Sequence, residues 1–280
     1  MIDAHVHVWQ IARGDYDWLA GEDVALRRDF TLEDWATAAA PTPVTAAVLV
    51  QATPTAAEST FVRSVAAANP DRVVGVVGWA ALEDADAPAR VAELAEDPVV
   101  VGVRPWLQAI EDPSWILRAD VARGLAAVEE AGLVYEALAL PVHLSRLVEL
   151  VERRPGLRVV LDHAAKPDIA HGALDAWAAD LGRLAAAGPV VCKLSGLLTE
   201  AGSRTSEADL RPYVETVLTA FGPDRVMWGS DWPVVSTVAS YADWHTMARA
   251  LVPAADHDAV FADTARRAYG LESSVDGARP

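Results

Sequence analysis

"IDAHVHVW", residues 2–9, is the first of eight short apolar runs that together predict the fold of this 280-residue chain. The runs are rich in Val and Leu and nearly continuous in hydrophobicity, which is typical of strands buried on both faces of a parallel sheet. The eight runs cover residues 2–9, 45–52, 72–80, 99–106, 133–140, 157–166, 189–196 and 225–233.

Segments with helical periodicity lie between most of these runs. One extends from about residue 55 to 69, one ends at Gly132, one starts at Pro141, and one over 210–221 stops before Gly222. Pro at a helix start and Gly after its end are the expected boundary residues. Eight strands alternating with helices predict a (β/α)8 TIM barrel, with a doubly wound open sheet as the alternative.

The predicted barrel is a single domain over residues 1–272, because such a barrel commonly takes about 250 residues and no linker or low-complexity tract divides the chain. We expect residues 10–30 to form a long loop after the first strand, where a loop can help to build a site. Residues 273–280 are expected to be a frayed tail.

The charge of the chain limits the classes of partner. A formal net charge of −17, without a run of Lys or Arg, argues against nucleic acid and anionic membranes. The single cysteine, Cys192, lies in an apolar run and is expected to be a buried structural thiol, which fits a reducing cytoplasm. No leader pattern precedes Ile2 and no apolar stretch approaches the roughly 18–20 residues of a membrane span. We therefore expect a cytoplasmic protein, with the oligomeric state open and a homodimer as one possibility.

Two histidines stand one residue apart in the first run. In an extended strand, His5 and His7 project to the same face, and two neutral imidazoles side by side suit a divalent metal such as zinc. A hydrogen-bonded or surface pair is the alternative.

Polar residues recur near the carboxyl ends of the apolar runs, which share one rim in a barrel and carry the active sites of this fold. They are His5, His7, Gln51, Arg104, Glu136, Asp162, His163, Lys193 and Asp231. Among them, His5, His7, His163 and Asp231 are best suited to metal binding or acid/base chemistry. A rim that binds a metabolite without chemistry is the alternative.

Other polar side chains are candidates for substrate contact. Arg104 could polarise a carbonyl or form a salt bridge, for example with Glu136. Lys166 could contact a substrate oxyanion, and Lys193 could do the same or form an internal ion pair. Gln51 could bind a sugar hydroxyl or a backbone group.

Aromatic and further histidine residues complete the candidates. Of the 10 tryptophans, five lie near predicted strand ends, and because large aromatics usually fill cores we expect only some of these to line a pocket. The five are Trp9, Trp79, Trp106, Trp228 and Trp232, of which Trp9, Trp79 and Trp232 are taken as substrate-binding candidates. Surface positions are expected for the remaining histidines, His143, His171, His245 and His257.

Four motifs together resemble the amidohydrolase-2 group of the amidohydrolase superfamily, and its lactonase branch in particular. They are HVHVW (5–9), DHAAKP (162–167), CKLSG (192–196) and FGPDRVMWGSDWPV (221–234), and the similarity extends from residue 2 to 271. The resemblance implies a hydrolase of a small lactone, most of all a sugar-acid lactone, on a (β/α)8 barrel.

The resemblance also implies roles for individual residues. His5 and His7 become the first-strand pair, and His163 a further ligand or carbonyl-polarising group. Asp231 becomes the general base that activates water and then returns the proton to the leaving oxygen, as one carboxylate can do in both steps. No lysine stands in the bridging position of binuclear members, so at most one divalent ion is expected, zinc before manganese, and some relatives work without a metal.

The sequence departs from the family pattern at two positions, and two other functions are kept as alternatives. Ala81 and Thr264 stand where many relatives carry Asp and Asn, which weakens the transfer of a specific substrate. A metal-dependent, non-oxidative decarboxylase of an aromatic acid is the alternative enzyme. A catalytically silent ligand-binding barrel is the alternative from another class.

Overall fold

The computed structural model describes residues 1–271 and shows eight parallel strands in the order β1 to β8. The strands are β1 (Ile2–Val6), β2 (Ala46–Val50), β3 (Val73–Gly78), β4 (Val100–Val103), β5 (Val134–Ala137), β6 (Val159–Leu161), β7 (Val191–Leu194) and β8 (Val226–Trp228). A parallel bridge between Val6 and Trp232 brings the first strand and the segment after the last one together. The (β/α)8 prediction is confirmed, and each strand lies within a predicted apolar run; the tail predicted at 273–280 lies outside the described residues.

Helices follow the strands on the outside of the barrel. They are α1 (Leu32–Ala39), α2 (Ala56–Ala68), α3 (Ala87–Ala95), α4 (Ala119–Glu130), α5 (Leu144–Arg153), α6 (Asp175–Ala187), α7 (Glu207–Phe221), α8 (Tyr241–Leu251) and α9 (Thr264–Tyr269). Several begin at a hydroxyl side chain that accepts a hydrogen bond from the first turn; Thr31 and Ser206 each form a complete capping box. Such caps satisfy backbone N–H groups that have no partner inside the helix.

Two separate apolar clusters hold the molecule together. The larger one packs the strands against the surrounding helices. The smaller one contains inward residues of the strands together with Ala265 and Tyr269 of α9, so it fills one end of the barrel interior. Its strand residues are Ile2, Ala4, Val48, Val50, Val77, Val101, Val134, Val160 and Met227. The other end of the interior is lined by polar side chains and carries the candidate site.

The segment from residue 10 to 30 is a long loop, as predicted, and contains only short 3-10 turns. It is anchored by an antiparallel bridge between Trp9 and Phe30 and buries Leu19 and Leu26. The loop therefore has a defined path across the carboxyl ends of the strands.

Two expectations from composition can be compared with the structure. Cys192 is completely buried, and burial raises the pKa of its thiol, which agrees with a structural thiol. Among residues 1–271, no helix combines the length and the hydrophobicity that a membrane crossing requires.

Candidate active site

Four side chains predicted from the sequence converge at the carboxyl end of the barrel. The Nε2 atoms of His5 and His7 lie 3.2 Å apart. The Oδ1 atom of Asp231 lies 3.7 Å from His5 Nε2, 3.5 Å from His7 Nε2 and 3.9 Å from His163 Nε2. All four residues are buried. Three imidazoles and one carboxylate thus surround one small space.

The first strand presents both histidines to this space through an irregularity in its pairing. Ala4 belongs to the interior cluster, and the next residue, His5, also points into the barrel because the register of β1 on β2 shifts between Asp3 and Val6. Asp231 is held against the same strand, since its backbone N–H donates to the carbonyl of His5 at 3.0 Å. Closure of the barrel therefore places the carboxylate beside the histidines.

The backbone is strained where these groups are presented. Asp231 has a φ of 58°, and residues 163–166 all have positive φ, with His163 at 51°. An L-residue in this left-handed region costs roughly 1–2 kcal/mol, and such conformations cluster at functional sites. Two of the four converging residues, His163 and Asp231, therefore have strained backbone conformations.

Two glycines of the recognised motifs allow this close approach. A Cβ atom on Gly196, whose φ is +66°, would lie 2.7 Å from the His163 ring, and a Cβ on Gly229 would lie 2.7 Å from the Cβ of His5. No side chain can be accommodated at these distances without displacing the histidines.

The donor set fits a divalent metal ion. His7 Nδ1 lies 2.7 Å from the carbonyl oxygen of Val50 and must donate to it, so the lone pair of a neutral His7 is on Nε2 and faces Asp231 and His5. His5 can bind a metal through Nε2 if its Nδ1 carries the proton; Asp162 Oδ1, which also faces the Lys193 ammonium at 3.2 Å, lies 3.5 Å from that Nδ1. A carboxylate behind a ligating histidine is the usual support for such a ligand. Neutral nitrogen donors with one carboxylate are a set that zinc accepts.

Burial and neighbouring groups shift the pKa values of the residues in this site. Burial lowers the pKa of His163 to about 4, so the ring is neutral at physiological pH. Burial by itself raises the pKa of Asp231, but the imidazoles of His163, His7 and His5, which face its carboxylate, hold that pKa below its ordinary value. Asp231 is therefore ionised, and burial lowers the pKa of the His5 and His163 imidazoles beside it.

A layer of buried charges lies beneath these four residues. Lys193 Nζ is 2.8 Å from Glu136 Oε2 and 3.2 Å from Asp162 Oδ1, and Arg104 Nη1 is 3.2 Å from Asp162 Oδ2. Burial raises the pKa of Glu136 and the Lys193 ammonium opposes that rise. The internal ion pair considered for Lys193 is present, whereas the partner of Arg104 is Asp162 and not the Glu136 suggested from sequence.

A cleft of about 300 Å³ opens above the site. Its walls include Asp231, His7 and His163 from the site, and Arg104 and Lys166, two of the candidates for substrate contact. Lys166 pairs with Glu200 at 3.3 Å on this wall. The other lining residues are Trp18, Glu22, Ala52, Trp106, Gln108, Leu138, Thr199 and Val234. Each comes from a loop after a strand, where sequence periodicity carries no signal; Trp106 had one cue, its place at the end of the fourth apolar run.

Four predicted substrate contacts lie elsewhere. The side-chain amide of Gln51 is already hydrogen-bonded within the protein. It donates to the Arg104 carbonyl at 2.7 Å and accepts from the Trp106 indole at 3.1 Å. Trp9 is fully buried and donates to the carbonyl of Arg28. Trp232 is buried edge-on against Phe30, and Trp79 lines a separate groove between α2 and α3. These aromatic side chains fill core or line other surfaces because each points away from the barrel axis.

Two histidines expected at the surface are buried. His143 and His245 are 2% and 4% exposed, whereas His171 is exposed as predicted. His245 packs against Trp228 and Phe261, between β8 and α8, and its Nε2 has no hydrogen-bond partner. The polar composition of the late segment around His245 concealed that this position faces inward, and His143 lies in the short turn before α5.

Comparisons with known proteins identify the family of this chain. The Amidohydro_2 family profile, described as amidohydrolase, matches residues 2–271. An L-fucono-1,5-lactonase from Burkholderia ambifaria is 41% identical over 87% of this chain and 83% of its own length. An L-fucono-1,5-lactonase from Burkholderia multivorans is 35% identical over 98% of this chain and 97% of its own.

Solved structures show the same relationship. An amidohydrolase from Burkholderia multivorans, solved with bound zinc, superposes with a TM-score of 0.91 at 34% identity and covers 97% of this chain and 99% of that one. A 5-carboxyvanillate decarboxylase from Sphingomonas paucimobilis is more distant, with a TM-score of 0.67 at 17% identity, and shares the fold alone. The match of the family profile over nearly the whole described chain shows that this protein belongs to the Amidohydro_2 family of amidohydrolases.

Proposed function

We propose that the protein hydrolyses the ring ester of a sugar-acid lactone, with L-fucono-1,5-lactone as the first candidate substrate. The observation that carries the proposal is the ionised Asp231 surrounded by the imidazoles of His5, His7 and His163 at the base of a cleft. The lactonases named above support the choice of substrate class.

In the proposed reaction, Asp231 is the group that moves the proton. Its carboxylate accepts a proton from a water molecule as the water oxygen bonds to the lactone carbonyl carbon. The same carboxyl then donates this proton to the ring oxygen as the carbon–oxygen bond of the ring breaks. The product is a hydroxy acid, and Asp231 returns to its ionised form.

The residues that would hold a divalent metal are His5, His7, His163 and Asp231. Such an ion, zinc as the first candidate, would polarise the carbonyl and lower the pKa of a bound water. His163, held by its Nδ1 contact to Ser195 Oγ at 2.8 Å, keeps its Nε2 directed to the same space. Arg104 lines the cleft beside these groups and supplies positive charge near the developing oxyanion.

The cleft walls suit a polyhydroxylated ring. The indoles of Trp18 and Trp106 stand at 68° to each other with centroids 6.2 Å apart, and such faces pack on the C–H face of a sugar ring. Glu22, Gln108 and the Lys166–Glu200 pair offer hydrogen-bonding groups to ring hydroxyls. We infer that these residues select among lactones.

The test is a pH-indicator assay of acid release from L-fucono-1,5-lactone and a panel of five- and six-membered aldonolactones, corrected for spontaneous opening. We expect Asp231→Asn to lower kcat/KM by roughly 10²–10⁴-fold, because the proton acceptor is lost. Asp224→Asn, the same change at a side chain that is 81% exposed, is the matched control and should retain wild-type activity. A chelator arm followed by zinc or manganese return tests the metal.

Equal rates for wild type and Asp231→Asn would contradict the proposal. If no lactone opens faster than its spontaneous rate, release of carbon dioxide from aromatic acids tests the decarboxylase alternative, and binding without turnover would favour the silent barrel. A cytoplasmic location, the absence of nucleic acid and membrane partners, and a homodimer stay predictions.

A further inference from the structure

A second group of possible cation ligands lies directly below the candidate site, on the other side of the His5 ring. His5, Glu136 and Asp162 each offer one ligand atom, these atoms lie within 4.8 Å of one another, and all three residues are buried. One imidazole nitrogen and two carboxylates are donors that a divalent ion accepts. The ring of His5 thus separates two sets of ligands.

The ammonium group of Lys193 stands inside this second set. Its Nζ atom lies 2.8 Å from Glu136 Oε2, 3.2 Å from Asp162 Oδ1 and 3.1 Å from His5 Nδ1. Lys193 is completely buried. Its ammonium therefore contacts the same atoms that a metal ion would bind at this position.

The charges of this layer are already balanced. Glu136 and Asp162 carry two negative charges, and Lys193 and Arg104, which is 3.2 Å from the other oxygen of Asp162, carry two positive ones. The phenol of Tyr269 donates to the remaining oxygen of Glu136. A divalent ion beside this ammonium would add uncompensated charge in a region shielded from water, where like charges repel strongly.

We propose that Lys193 is a resident cation: its side chain occupies the second ligand set and restricts the centre to one metal ion, on the Nε2 side of His5. The inference rests on the single-metal centre proposed above. In this role Lys193 sets the number of bound metal ions by covering the second set of ligands. Lys193 is a positioning residue, because it contacts His5 and not the substrate.

The test counts bound metal and does not depend on activity. Chelator-treated protein is dialysed against zinc, and zinc per chain is measured by atomic spectroscopy. We expect one equivalent for wild type and two for Lys193→Ala, in which the second set is uncovered and the His5 ring, after release of its Nδ1 proton to solvent, binds one ion at each nitrogen as an imidazolate. Lys193→Arg, which keeps a cation, and the double variant Lys193→Met/Glu136→Gln, which removes a ligand charge together with the ammonium, should each hold one.

The outcomes separate this inference from the proposed function. Equal stoichiometry in wild type and Lys193→Ala overturns the inference. No zinc in wild type but one equivalent in Lys193→Ala supports the inference while the proposed metal centre fails. Zinc should also raise the Tm of Lys193→Ala by more than that of the double variant. If Lys193→Ala does not fold even with zinc, the bulkier Lys193→Gln enters the same titration, and a stoichiometry equal to wild type overturns the inference.

Discussion

Two layers of the barrel interior are built from the same strands but by different forces. On β5, Val134 lies in the apolar layer and Glu136, two residues later, lies in the charged layer. β6 follows the same pattern with Val160 and then Asp162 just beyond its end, and β7 with a partly buried Val191 and then Lys193. The apolar layer is stabilised by burial of apolar surface, which does not depend on the direction of a contact. The charged layer is stable only when every charged partner is present. A short step along one strand therefore changes which substitutions the molecule tolerates.

The largest effect is expected from breaking the charged layer. Glu136→Ala leaves the Tyr269 phenol without its acceptor and leaves Asp162 as the one carboxylate facing both Lys193 and Arg104. We expect the free energy of unfolding to fall by about 3–5 kcal/mol, because an uncompensated buried charge is costly. Urea unfolding measures this, and a loss below that of the matched Val134→Ala variant would contradict the distinction between the layers.

A smaller effect is expected in the apolar layer. Val134→Ala, on the same strand and equally buried, removes two methyl groups and leaves a small cavity. We expect a loss of roughly 1–3 kcal/mol in the free energy of unfolding. Because no charge or ligand is disturbed, kcat/KM on the preferred lactone should stay within about twofold of wild type, and zinc stoichiometry should not change. A large loss of activity would show that the lower layer is coupled to the site.

The smallest effect concerns a buried titratable group outside both layers. Burial lowers the pKa of His245 to about 4, so the unfolded chain, with an ordinary histidine, binds a proton first as the pH falls. His245 therefore contributes stability above about pH 6.5 that is lost as the pH falls towards 4. We expect His245→Phe to reduce the loss of unfolding free energy between pH 7 and 4.5 by on the order of 1–2 kcal/mol.

The control for this measurement is His171→Phe, because the His171 side chain is 82% exposed. It should leave the pH dependence of unfolding as in wild type. An unchanged slope in His245→Phe would mean that His245 is not responsible for the acid sensitivity.

The sequence was sufficient for the barrel and for the converging residues. Eight apolar runs separated by helical segments predict the alternation, and a parallel barrel brings the carboxyl ends of its strands to one rim, so His5, His7, His163 and Asp231 could be expected together. The same rule applied to Gln51 and Trp79 was misleading, because it places the backbone at the rim and not the side chain. A residue at a strand end can point to the axis or to the surrounding helices.

The amino-acid sequence by itself determined the fold class, the family and which four polar residues converge, since these depend on hydrophobic pattern and on motifs that are local in the chain. Tertiary structure decided the rest: the partners of Lys193 and Arg104, the Trp18 and Trp106 walls, and the burial of His245. These depend on side chains that are far apart in sequence and on register shifts such as that of β1. The physical reason is that sequence periodicity specifies which face of a helix or strand is buried. Which group a buried side chain contacts is specified only when the barrel closes.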